Sequence, residues 1–142
     1  MNDAMPFASA HELLLVLQGF RKREKKELWD TIMRYFVDRK QELMGSNGEG
    51  REFAENCVNV VYTLAASQPR NYSLKKYHHR KDIDELLAHY EDDLCDHAHM
   101  LDAEYNSRLA TALYLFKSQQ YDPIWWRVET NAVRDKNKLD SH

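Results

Sequence analysis

A chain of 142 residues with a formal net charge of −3 is the size of one domain and can bury roughly two-thirds of the surface its unfolded form exposes. It therefore needs neither disulfides nor a structural metal to hold a core, and Cys57 and Cys95, far apart and without a partner motif, exclude a disulfide scaffold and make a reducing cytoplasm the default setting. The near balance of charge argues against a nucleic-acid coat or polybasic membrane binder, and the longest apolar run, Leu13 to Leu17, is too short to span a bilayer.

The elements follow from periodicity and punctuation. Ser9 followed by Glu12 reads as a capping box that opens a helix. Leu13, Val16, Leu17 and Phe20 then form one apolar stripe, and Leu28, Trp29, Ile32, Met33, Phe36 and Leu43 form a second. On one continuous helix the two stripes would point about 150° apart, so a break or sharp kink is expected between Gly19 and Lys26. The basic residues of that stretch follow the apolar run instead of preceding it, the reverse of a secretory leader. Gly45, Ser46, Asn47, Gly48 and Gly50 make a loop, with Gly45 placed to cap the preceding helix. Phe53, Cys57, Val60, Val61 and Leu64 define a third helix that ends before Pro69.

Asp82 and Glu85 read as the N-cap and N3 pair of a further helix. Its stripe is the most regular in the chain: Ile83, Leu87, Tyr90, Leu94, Ala98, Leu101, Tyr105, Leu109, Ala112 and Phe116. Unbroken over about 82–119, such a helix would be about 50 Å long, long enough to project and pair with a second copy unless it kinks near Asn106 and Ser107. Asp122-Pro123 starts a short last helix with Ile124, Trp125 and Val128, followed by a polar tail at 136–142. The expected fold is all-α: a single domain over 1–142, a bundle of four to five helices containing one long helix.

Three features carry possible function. Glu85, His89, Asp92, Asp96 and His99 lie about 180° from the long stripe, an acidic and histidine-bearing face turned away from the core. His and Asp at these spacings are ligand types, and His97 with Asp102 is similar in spacing to one part of hemerythrin-like di-iron bundles. The other ligand pairs of such a bundle are missing, and one helix face seldom supplies a complete metal shell, so no metal or cofactor is expected. The second feature is two basic clusters: Arg21, Lys22, Arg23, Lys25 and Lys26, then Arg70, Lys75, Lys76, Arg80 and Lys81, the latter interleaved with Tyr72 and Tyr77. They suit phosphate and base contacts, yet no DNA- or RNA-binding motif accompanies them, and a charge run is ordinarily a solvated face. The third is Trp125 and Trp126, with Arg127 and Tyr121 beside them. Adjacent helical residues diverge by about 100°, so both rings are not easily buried in full: either Trp126 is a partner contact, since Trp, Tyr and Arg dominate binding hot spots, or both rings close over one end of the bundle, each partly buried.

Cys57 falls on a core stripe and Cys95 in an acidic neighbourhood, both poor settings for a nucleophile. The sequence thus reads as a non-enzymatic regulator, inhibitor or adaptor that binds a protein partner through charged helical faces and aromatic anchors, with self-association into a homodimer expected. The alternatives are a nucleic-acid-binding regulator and a metal-binding helical protein.

Overall fold

The structure, a computed structural model, describes residues 10–19, 26–40, 43, 50–68, 77–118 and 122–140. Among these there is no strand. The described residues include six α-helices: α1 (Ala10–Gly19), α2 (Lys26–Asp38), α3 (Gly50–Ala66), α4 (Tyr77–His97), α5 (Ala103–Leu115) and α6 (Asp122–Asp140). A single 3₁₀ turn, Ala98–Met100, stands between α4 and α5. The proposed cap at Ser9 and the loop residues Gly45, Ser46, Asn47 and Gly48 lie outside the described residues. Gly50 opens α3 at φ +86°, a left-handed backbone that glycine adopts without strain.

One core joins all six helices, and it takes nearly every stripe residue the periodicity selects. Trp29, Ile32, Met33 and Phe36 of α2 are buried with Cys57, Val60, Val61 and Leu64 of α3. Ile83, Leu87, Tyr90, Leu94, Ala98, Leu101, Leu109, Ala112 and Phe116 are buried from the next segment, and Ile124 and Val128 from α6. α1 departs from expectation, because it buries Leu13 and Leu14 while Leu15 and Val16 face solvent. α1 packs on both α2 and α3, so the residues between those two neighbours go inside.

The long helix expected over about 82–119 is two helices, which is why six elements stand where four or five were expected. α4 begins at Tyr77, five positions before the expected cap, since nothing from Tyr77 to Lys81 opposes helix. Asp82 and Glu85 are therefore interior helical residues, and both bond the Arg34 guanidinium of α2 at 3.1 Å. The break falls at Ala98–Asp102, upstream of Asn106. Leu101 is extended (φ −75°, ψ 133°), and Asp102 caps α5 by accepting from the Tyr105 N–H at 2.9 Å.

Paired contacts fix the helix directions. Arg51 meets Asp102, Arg108 donates to Asn59, and Gln68 donates to the Leu115 carbonyl, so α3 and α5 run parallel. Phe53 packs edge-on against His97, and Cys57 lies within the field of Asp93, so α3 and α4 run antiparallel. The chain therefore reverses direction at the break, placing α4 and α5 along different sides of α3.

Nothing in Ala-His-Met-Leu-Asp is a helix breaker; the carbonyls freed by the reversal are instead held by α6. Asn131 Nδ2 donates to the Ala98 carbonyl at 2.8 Å and to Asn106 Oδ1 at 3.1 Å. Arg134 donates to the carbonyls of His99 at 2.8 Å and Leu101 at 2.6 Å. Asn106 in turn donates to the Val128 carbonyl at 3.1 Å, and Asn106 and Asn131 are both buried. α6 is accordingly not short: it continues in helix through Asp140, covering 136–140 where the composition predicts a tail.

The helix ends are closed with similar economy. Buried Trp29 gives its indole N–H to the Leu64 carbonyl at 2.8 Å, and Gln68 bridges the Ala65 and Leu115 carbonyls. α5 ends in a Schellman motif, with Lys117 N–H to Tyr114 and Ser118 N–H to Leu113. Lys117 sits at φ 54°, a region that costs an L side chain free energy.

Two outcomes follow from these ends. Lys117→Gly should raise stability by roughly 0.5–1 kcal/mol in urea denaturation; an unchanged midpoint would contradict the strain. Trp29→Phe should lower it by about 1–3 kcal/mol, because the Leu64 carbonyl is left buried without its donor.

Candidate interaction face

The expected acidic face exists, but the fold splits it. His89, Asp92, Asp96 and His99 are exposed. Glu85 is half-buried and engaged by Arg34, which also reaches Asp82 and lies 3.9 Å from Asp38. These acids hold the Arg34 guanidinium protonated, its pKa raised chiefly through the Glu85 hydrogen bond. Farther along, Lys40 Nζ bonds Asp93 Oδ2 and the His89 carbonyl, each at 2.7 Å, and stands over the Tyr90 ring. The carboxylates of α4 that face α2 are thus neutralised as part of the fold. Asp92 and Asp96 make no ion pair among the described residues and remain for solvent or a partner.

α6 brings its aromatic pair to the other end of that face. Trp125 is half-buried against the core, while Trp126 is 58% exposed and carries the Arg127 guanidinium over its ring at 4.9 Å. α6 packs on α4 here, and the Cys95 thiol lies in the fields of Arg127, Glu91 and Asp96. Trp126, Arg127 and Asp96 therefore share one α4–α6 edge, with Asp92 and His99 exposed a turn to either side of Cys95. Glu85 belongs to the far end, against α2.

Helical spacing extends the α6 contribution. Ile124, Val128 and Asn131 face inward, so Trp126, Thr130 and Val133 point to the opposite side. Val133 is 59% exposed, and Thr130 turns its hydroxyl back to the Trp126 carbonyl at 2.9 Å, which leaves its methyl facing out. Val133 and Thr130 are not among the residues the sequence singles out, although their spacing from Trp126 is the signal that finds them. Asn131 was equally findable, as a polar residue three positions after Val128 in an apolar register.

The other candidates resolve as follows. Tyr121 lies outside the described residues, as do Arg21, Lys22, Arg23, Lys25, Arg70, Lys75 and Lys76. Lys26 and Arg80 are described only as helical backbone, and Lys81 is exposed on α4. His97 Nδ1 lies 2.8 Å from the Asp93 carbonyl, which can only accept, so that nitrogen carries the proton. Asp102 spends one oxygen on the α5 cap and the other on Arg51 at 3.1 Å. The His97–Asp102 spacing is thereby absorbed by packing and capping, and among the described residues no three His, Cys, Asp or Glu side chains converge as metal ligands. An open groove of about 480 Å³ along α2 includes Arg34, Asp38, Arg39 and Asp82 in its lining, and Arg34 pairs with both of those carboxylates.

Neither thiol is activated. Burial, reinforced by the Asp93 carboxylate, pushes Cys57 up to about 12. Cys95 is also raised, by burial first, with Arg127 opposing and Glu91 and Asp96 adding to it. Tyr90 is held well above its ordinary value by burial in the same cluster. No helix among the described residues is long and apolar enough to cross a membrane. Compared with known proteins, the chain matches no family, no curated protein and no solved structure.

A raised thiol pKa leaves less thiolate at a given pH. Thiol labelling of the folded protein at pH 8 should therefore modify Cys95 slowly and leave Cys57 untouched until denaturant is added. Rapid labelling of Cys57 in the native state would contradict its placement in the core.

Proposed function

We propose that the protein is a non-enzymatic binding protein, a regulator, inhibitor or adaptor that works by occupying a partner's surface with the α4–α6 edge. The observation that carries this reading is Trp126, 58% exposed on the side of α6 opposite its buried stripe and stacked under Arg127. A large ring held on a helix and braced by a guanidinium loses little freedom on docking, and Trp and Arg are the residues in which binding energy concentrates. Val133 and the Thr130 methyl extend an apolar strip along α6, and Asp92, Asp96 and His99 supply a polar rim on α4. The partner this combination suits is a protein with an apolar pocket bordered by basic groups, drawn in by electrostatics and retained by the buried ring.

The chemistry of the face supports binding over catalysis. Its one thiol has a raised pKa, and its free carboxylates, Asp92 and Asp96, point into solvent without a convergent base or nucleophile, whereas an active site assembles such groups around one point.

A photo-crosslinking residue placed at Trp126 should capture a discrete partner in the cell. The same residue at Tyr114, equally open on α5, should not. Reversing the charge of Asp92 and Asp96 should weaken capture, and Trp126→Ala should cost the isolated complex at least about tenfold in affinity. Equal capture at both positions, or none at Trp126 above the control, would overturn the reading.

A further inference from the structure

We infer that the turn at Ala98–Asp102 is an exchange hinge: two copies of the chain dimerise by straightening it and trading their α5–α6 units. This inference is independent of the partner proposed above.

The first ground is the sequence at the turn. Ala98, His99, Met100, Leu101 and Asp102 include no glycine or proline, and the apolar stripe passes through them in step, from Leu94 to Ala98, Leu101 and Tyr105. The segment thus carries the pattern of one uninterrupted helix, yet it folds as a reversal. Straightened from Tyr77 to Leu115, it would form a rod of about 58 Å, and each backbone group freed at the turn would regain an i to i+4 partner within the chain.

The second ground is what α5 and α6 touch. Asn106 bonds the Val128 carbonyl and Asn131, so α5 and α6 form a unit with its own buried polar contacts. That unit leans on α3 through Arg108 to Asn59 and Gln68 to Leu115, and on α4 through the packing of α6 against it. All three contacts can be remade with a second copy, because they join residues on opposite sides of the hinge. Exchange of a unit across a short connection is the ordinary low-cost route from monomer to dimer.

The third ground is the lock. Asn131 and Arg134 hold the carbonyls of Ala98, His99 and Leu101, which are available only while the turn is bent. In a straight helix those oxygens are taken by backbone N–H groups, so the two side chains favour the closed monomer specifically.

The structure also supplies a substitution that separates the states. Ala103 is exposed and is the first residue of α5, and Asp102 before it has φ −79° and ψ 179°. Proline is well suited to a first helical position, and the residue preceding it prefers this extended backbone. In a continuous helix the same proline would remove a hydrogen bond and clash with the carbonyl of His99. Ala103→Pro is thus compatible with the reversal and incompatible with the rod.

The test is refolding of the full chain at high protein concentration, followed by light scattering on a sizing column. The wild type should yield a dimer fraction, Arg134→Ala should raise it several-fold, and Ala103→Pro should lower it by at least roughly tenfold while keeping native helicity. Should Arg134→Ala fail to fold, the comparison of wild type with Ala103→Pro decides alone. Equal dimer fractions in those two, including none in either, would overturn the inference, since a dimer formed through the Trp126 face is indifferent to proline at this position.

Discussion

The fold depends on three main-chain oxygens at a reversal in the chain. Ala98, His99 and Leu101 present their carbonyls where a helix stops without a helix-breaking residue, and Asn131 and Arg134 of α6 answer them. The Ala98 carbonyl is buried and also accepts the Leu101 N–H at 3.0 Å, the Leu101 carbonyl is part-buried and that of His99 is exposed, so the clamp stabilises the reversal by about 1 kcal/mol per hydrogen bond. The donors come from more than thirty residues downstream, and the reversal is therefore a property of the tertiary structure. It requires α6 to be long, straight and docked antiparallel to α5.

From that constraint the layout of the surface follows. With α4 and α5 doubled back along α3, the inward face of α6 is spent on the clamp and the core, through Ile124, Val128 and Asn131. Its opposite face is left to Trp126, Thr130 and Val133. The same docking sets Arg127 against Cys95 and so joins the aromatic end of α6 to the acidic face of α4. At the other end, Arg34 of α2 and Lys40 just beyond it take up Asp82, Glu85 and Asp93. One helix thus carries acids of two kinds: those that tie it to α2, and Asp92 and Asp96, which do not.

The all-helical class and most of the core were legible because both rest on local pattern. Apolar spacing in α2, α3 and the segment from Ile83 to Phe116 marks residues that are buried in the structure, and the separate stripes before and after Gly19–Lys26 belong to separate helices. The reversal at Ala98–Asp102 was not legible, since a stripe continuous across it fits one helix as well as two, and the deciding groups lie on α6. For the same reason Asp82 and Glu85 read as a cap: only the position of Arg34 shows them to be partners of α2. Of the candidate face, the exposure of Trp126 and the outward turn of Asp92 and Asp96 followed from helical geometry. Its division into two ends did not, because ion pairing between helices leaves no trace in spacing along one of them.

The distance between α4 and α5 tests the central claim directly. Spin labels at the exposed positions Ala88 and Thr111, in a Cys95→Ser background, report on it in the monomer. Helices flanking a common neighbour at interaxial spacings of 8–10 Å place the two backbones within about 20 Å of each other. A straight helix would set them about 35 Å apart. The clamped reversal predicts the short distance, lengthening in part of the population when Asn131 and Arg134 are both replaced by alanine. A distance near the longer value in the unaltered monomer would contradict the account.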